Sequence, residues 1–110
     1  MNQNMENTDS RANKICMKIY RVGVETLVAA CDAELIGKTL KEGEIEFCIS
    51  KEFYEDVIGD EELLKRHLSQ ATIGNLVGKR AVKCGIEMGL IDRENIIKIC
   101  GIPHAQFALI

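Results

Sequence analysis

The feature that most constrains this chain is a change in the spacing of its apolar residues. As far as Ile49, apolar residues occur in short alternating or continuous runs, whereas beyond Gly59 they recur with a period of about 3.6, on Leu63, Leu64 and Leu68. The first spacing is typical of strands and the second of helices. We therefore expect an α+β fold, with a small, mostly antiparallel sheet packed against one or two helices.

Three segments of the first half are predicted to be strands. Residues 15–22 alternate, residues 26–31 are β-rich and apolar after Thr26, and residues 44–49 alternate again. The first two strands are expected to form a hairpin around Gly23, and the third follows a turn at residues 41–43. Asp32 is expected to cap a short helix that ends at Gly37.

The second half is predicted to be mainly helical. Acidic residues 60–62 suit the positive N-terminus of a helix, which we expect to pause near Gly74 or Gly78, to resume, and to end at Gly89. Residues 96–100 are predicted to form a strand, and residues 104–110 are predicted to add an edge strand.

Length and composition fit one domain. The chain has 110 residues, of which 46% are hydrophobic and 28% charged. Residues 1–14 are nearly devoid of apolar side chains and are predicted to be a disordered extension, which leaves residues 15–110 as a single compact domain. The sequence contains no apolar run of membrane-spanning length and no secretory signal, so we expect a cytoplasmic protein without membrane contact.

The five cysteines do not indicate a metal site. Their number is odd, and no two of them stand in the close spacing that structural zinc sites use. We expect free thiols that pack in the core, and we predict neither a metal nor a cofactor. The acidic residues between positions 52 and 62 are expected to be solvated.

The segment 74–80 carries glycines and cations that suggest phosphate binding. A P-loop is excluded because the spacing is one residue short and Arg80 stands where a Ser or Thr is needed. A helix-hairpin-helix is the closer analogy, in which Lys79, Arg80 and Lys83 would meet a phosphate near a helix N-terminus. The alternative is a solvated basic face beside a glycine packing contact.

His104 is the other candidate for chemistry. Its ordinary pKa lies near neutrality, so it is a candidate acid, base or RNA-contacting donor. Cys100 lies four residues away, but the sequence does not show that the thiol meets the imidazole. We therefore assign no catalytic residue, and we interpret His67 as a half-buried structural histidine.

The chain resembles a known family in several ordered segments. These are residues 17–21, 27–32, 37–39 and 71–78, and the ending Gly101-Ile102-Pro103-His104-Ala105-Gln106. The resemblance is to the small archaeal family numbered 424 among the domains of unknown function, over residues 17–106. It implies a cytosolic archaeal α+β domain without established enzyme activity. The motif positions that it singles out are Asn75, Gly78, Gly101, Pro103, His104 and Gln106.

Three functions compete at this point. The first is an RNA-binding or translation-associated accessory protein that contacts RNA or ribosome-associated proteins through Lys79, Arg80, Lys83 and His104. Since the formal net charge is −3, such binding requires a local basic patch, and the few aromatic residues favour phosphate or duplex contacts over base stacking. The second is a small-molecule enzyme with a site near His104 and Asn75. The third is a protein-interaction subunit, expected to be a homo-oligomer.

Overall fold

The computed structural model describes residues 11–109. Within these residues, eight strands and three helices follow one another, with 3-10 turns at Ala33–Leu35 and Arg93–Asn95. In chain order they are β1 (Ile15–Val22), β2 (Glu25–Asp32), β3 (Thr39–Glu42), β4 (Ile45–Cys48), α1 (Lys51–Tyr54), β5 (Val57–Gly59), α2 (Glu61–Leu68), β6 (Ile73–Val77), α3 (Lys79–Glu87), β7 (Ile97–Ile99) and β8 (Ile102–Ala108). Residues 1–10 of the predicted extension lie outside the described residues.

The main sheet has six strands in the order β5-β1-β2-β6-β8-β7. It is mixed, because β2 and β6 run parallel while the other neighbours are antiparallel. The expectation of a small sheet is therefore wrong in size, and the sheet is of mixed orientation, although four of its five strand pairings are antiparallel and strands and helices are both present as expected. Strands β3 and β4 form a separate two-stranded hairpin.

The predicted hairpin of the first two strands is present. Val22 pairs with Glu25, so only Gly23 and Val24 form the loop, and Gly23 has the positive φ of 61° that a tight turn uses. Strand β2 lies inside the sheet, where its residues from Val28 to Asp32 are buried. This central position explains the continuous apolar run that follows Thr26.

Residues 73–77 correct the predicted helical stretch, because they form the strand β6. Ile73 and Val77 are β-branched, and Gly74 accommodates the ring of Phe107, which an added Cβ would overlap. The helix α2 ends at Leu68, and α3 is a separate helix that starts after Gly78. Strand β8 is also not an edge strand, because it lies between β6 and β7.

The sheet separates two apolar clusters. Helices α2 and α3 cover one face, where Leu64, Leu76 and Val82 are buried. The opposite face is covered by α1 and the β3–β4 hairpin, around Tyr54 and Ile49. We refer to these as the helix face and the hairpin face. Among residues 11–109, no helix is both long and apolar enough to cross a membrane.

Candidate functional site

Four cationic side chains line a groove on the helix face. It lies between α3 and the pair β7–β8, and its volume is about 390 Å³. Its apolar floor and charged rim are formed by Lys79, Val82, Lys83, Ile86, Glu87, Arg93, Ile96, Lys98 and Pro103. We call this the basic groove, because four cations face one carboxylate there.

Three of the four cations of the basic groove are available to a ligand. Within residues 11–109, Lys79, Arg93 and Lys98 make no ion pair, and all three are exposed. Lys83 lies 3.5 Å from Glu61 and 3.7 Å from Glu87, and it is also solvent-exposed, so these contacts are weak. The groove therefore keeps a local excess of positive charge although the chain is acidic as a whole.

Arg80 does not join this groove. Its guanidinium lies 2.6 Å from the carboxylate of Glu34, beside the turn that follows β2. The backbone N–H groups of Arg80 and Ala81 both donate to Asp32, at 3.1 and 3.0 Å. Asp32 therefore caps α3 rather than the short turn after β2, where it makes no side-chain cap. Because a carboxylate already takes these amides, the helix N-terminus offers no phosphate cradle of the predicted kind.

His104 lies on the opposite face of the sheet, where it meets Asn75. The imidazole Nε2 is 3.3 Å from Asn75 Oδ1, and the Tyr54 hydroxyl donates to the same oxygen at 2.7 Å. Phe47 of the β3–β4 hairpin stacks on the imidazole with ring centroids 5.0 Å apart. The structure thus brings His104 and Asn75 together and separates His104 from the predicted cations.

Burial changes the ionisation of this cluster. Burial lowers the pKa of His104 below its usual value, so the imidazole is neutral at neutral pH. Burial raises the pKa of the Tyr54 hydroxyl, which stays protonated and donates to Asn75. A neutral imidazole whose Nε2 donates to the Asn75 oxygen presents its Nδ1 as an acceptor.

A recess lies beside this cluster on the hairpin face. Its volume is about 440 Å³, and it is bounded by Leu27, Phe53, Ile73, Gly74, Asn75, Gln106, Phe107 and Ala108. Gln106 pairs with Asn75 across the β6–β8 ladder, so their side chains stand on the same face. We call this the amide recess.

Some of the motif residues line the two surfaces described above, and the two glycines instead have backbone conformations that the fold requires. Asn75, His104 and Gln106 lie together on the hairpin face, and Pro103 lines the basic groove. Gly78 has φ of 102°, and an added Cβ would collide with the carboxyl of Asp32. Gly101 has φ of 78° in the turn between β7 and β8.

The cysteines do not supply a nucleophile to His104. The thiol of Cys100 lies 3.1 Å from the carbonyl oxygen of Lys41, and in the described residues it makes no hydrogen bond to the imidazole. Cys16, Cys31 and Cys84 are buried as expected, whereas Cys48 and Cys100 are exposed, which corrects the expectation that all five pack in the core. Across residues 11–109, no three His, Cys, Asp or Glu side chains gather as a metal site.

The sequence interpretation missed four of the residues that build these two surfaces. Arg93 and Lys98 join the basic groove from segments far from residues 79–83, and Tyr54 and Phe47 reach the His104 cluster from α1 and β4. Lys98 stands between Ile97 and Ile99 in a strand, so its side chain is expected on the opposite face from theirs. This alternation is the sequence pattern that could have indicated Lys98. No local signal identifies Tyr54 or Phe47.

The fold defines a small α/β domain, and a solved structure shares it. That structure is the crystal structure of an uncharacterized conserved protein from Methanopyrus kandleri, with a TM-score of 0.74 and 22% sequence identity. The match covers 88% of this chain and 92% of the other. At this identity the likeness establishes the fold alone.

The family model described as Protein of unknown function (DUF424) matches residues 20–110, so the chain belongs to that family. The resemblance found in the sequence is confirmed, and the structural relative is archaeal. No curated protein matches the chain.

Proposed function

We propose that this protein is a cytoplasmic RNA-binding accessory protein that holds the phosphate backbone in the basic groove. One observation carries the proposal: Lys79, Lys83, Arg93 and Lys98 surround a single groove with an apolar floor. Clustered cations that face solvent attract phosphates, and the floor accommodates the sugars between them. A link to translation and to ribosome-associated proteins rests on the family resemblance.

The proposal differs from the sequence hypothesis in its residues. Lys79 and Lys83 remain, Arg93 and Lys98 are added, and Arg80 and His104 contribute elsewhere in the fold. The contacts are expected to follow shape and charge rather than base identity, because the groove is rich in cations and has no aromatic lining.

Two other candidates have less support. A small-molecule enzyme is favoured by the contact between His104 and Asn75, but within residues 11–109 no thiol meets the imidazole. An interaction subunit, including a homo-oligomer, would use the sheet edges. The edges of the main sheet are β5 and β7, each of three residues, and short edge strands offer little backbone for pairing with another chain.

The test measures binding of a fluorescently labelled RNA duplex of about 20 base pairs by anisotropy. Arg93→Gln and Lys98→Gln are each expected to weaken binding roughly fivefold, because each removes one phosphate contact. The matched control is Lys38→Gln, which removes an exposed cation outside the groove and should change the affinity by less than about twofold.

Two results would contradict the proposal. One is an absence of duplex binding by the wild type at about 50 mM salt, where phosphate contacts are strong. The other is an equal loss in the groove variants and in Lys38→Gln, which would mean that charge alone, without the groove, determines binding.

A pull-down from cytosol, with and without nuclease, tests the cellular setting. If RNA is the partner, the captured ribosome-associated proteins disappear after nuclease treatment. Retention of one protein regardless of nuclease would support the interaction subunit instead.

A further inference from the structure

The amide recess has a lining that contrasts with the basic groove. None of its eight lining residues is ionisable, and Leu27, Phe53 and Ile73 give it apolar walls. Moving a charged group into such a site costs free energy that no partner there would offset. A neutral ligand with apolar surfaces therefore fits the recess better than a charged one.

Asn75 gives the recess a defined hydrogen-bonding character. Its Oδ1 accepts from the Tyr54 hydroxyl at 2.7 Å and lies 3.3 Å from the His104 Nε2, so both lone pairs of that oxygen are directed at donors. The Asn75 Nδ2 makes no hydrogen bond within residues 11–109. Asn75 is thus a donor toward the recess, and its orientation is fixed by two neighbours before any ligand arrives.

Gln106 supplies the complementary groups. Its side chain stands beside Asn75 on the β6–β8 ladder, is exposed, and makes no hydrogen bond to another described residue. A terminal amide carries both a donor and an acceptor. Together, the two side chains match a ligand edge on which a carbonyl oxygen stands next to an N–H group.

We infer that the amide recess binds a neutral planar heterocycle bearing a ring carbonyl beside a ring N–H, as in an oxo-nucleobase. The carbonyl oxygen accepts from Asn75 Nδ2, and the N–H donates to the Gln106 oxygen. Phe53 and the aliphatic side chains contact the faces of the ring. The volume of about 440 Å³ lies within the range of small-molecule sites and accommodates a nucleoside.

This site is independent of the basic groove. The recess lies on the hairpin face and the groove on the helix face, and they share no lining residue. Loss of groove cations should therefore leave recess binding intact, so failure of one proposal does not imply failure of the other.

The test titrates uridine and inosine into ¹⁵N-labelled protein and follows the side-chain NH₂ signals of Asn75 and Gln106. We expect saturable shifts of both signals, with a dissociation constant of roughly 1 mM or tighter. The substitution Asn75→Asp keeps an acceptor toward Tyr54 and His104 and removes the donor, so it should weaken binding at least about tenfold. Asn13→Asp makes the same chemical change at an exposed position outside the recess and should bind as the wild type does.

The inference is overturned if neither nucleoside shifts the Asn75 and Gln106 signals at roughly 10 mM, well above that dissociation constant. It is also overturned if Asn75→Asp, with its backbone spectrum showing an intact fold, binds as tightly as Asn13→Asp does. The wild-type titration decides the question by itself if the Asn75 variant does not fold.

Discussion

Asp32 and Gly78 depend on each other for their positions. Asp32 is 3% exposed, and its carboxylate accepts hydrogen bonds from the first free amides of α3, which it reaches only because Gly78 has no side chain. Burial raises the pKa of Asp32, and the two amide hydrogen bonds oppose that rise. The pair fixes where α3 begins, and therefore where Lys79 and Lys83 stand.

Gly78→Ala is expected to destabilise the fold by about 2–4 kcal/mol, because it combines a strained positive φ with a collision against Asp32. The matched control is Gly89→Ala. Gly89 has φ of 74° but has open space around an added Cβ, so only the backbone strain applies and about 1 kcal/mol is expected. Urea denaturation measures both changes, and equal losses would contradict the importance of the Asp32 contact.

His104 should make the stability of the fold depend on pH. Burial holds its folded-state pKa below the ordinary value of 6.5, so the unfolded chain binds more protons between those two values. The free energy of unfolding is therefore expected to fall as the pH drops below about 6.5, and to level off once the pH lies below the folded-state pKa.

Thermal unfolding between pH 7.5 and about 5 checks this dependence. His104→Gln should reduce the fall in melting temperature, whereas His67→Gln, which changes the other histidine of the chain, should retain it. The same pH dependence in His104→Gln and in the wild type would show that another group causes the fall.

At the scale of elements, local pattern predicted β1, β2, β4, α2 and β7 correctly. It failed for β6, because Gly74 and Gly78 looked like interruptions of a helix. Gly74 is in fact required by the ring of Phe107, which is 33 residues away in the chain and enters only through strand pairing. The parallel contact of β6 with β2 is equally non-local, and no spacing in the sequence indicates it.

The candidate surfaces were predictable to different degrees. Lys79 and Lys83 follow from their adjacency on one helix, and Asn75 and His104 from the family motif. The pairing of Asn75 with Gln106 requires the register of β8 against β6, and the contact of Phe47 with His104 requires the hairpin to fold over the sheet. Both contacts depend on tertiary structure, so local sequence patterns do not predict them.

The β3–β4 hairpin is expected to control the environment of His104. Phe47→Ala removes the ring stacked on the imidazole and admits water, so the pKa of His104 should rise toward its ordinary value. A titration of the imidazole proton signals by NMR measures this. Ile45→Ala, on the same strand but 52% exposed, is the control and should leave the pKa of His104 unchanged. No rise in the Phe47 variant would exclude the hairpin as the cause of desolvation.

The whole molecule is a sheet with two different surfaces. The helix face carries the basic groove, and the hairpin face carries the uncharged amide recess. The formal net charge of −3 conceals this division, because carboxylates elsewhere outweigh the cations that gather at α3, β7 and the turn before β7. Local charge, rather than the total, determines whether a polyanion binds.

The most direct test of the account is the salt dependence of RNA duplex binding. Plotted against the logarithm of the salt concentration, the logarithm of the binding constant falls with a negative slope. The triple variant Lys79→Gln, Arg93→Gln, Lys98→Gln should make that slope shallower by about two to three, because each lost phosphate contact removes nearly one released counterion. The control triple variant Lys38→Gln, Lys41→Gln, Lys51→Gln changes the net charge equally at exposed positions outside the groove and should keep the wild-type slope. Equal slopes in the two triple variants would contradict the assignment of the groove as the RNA site.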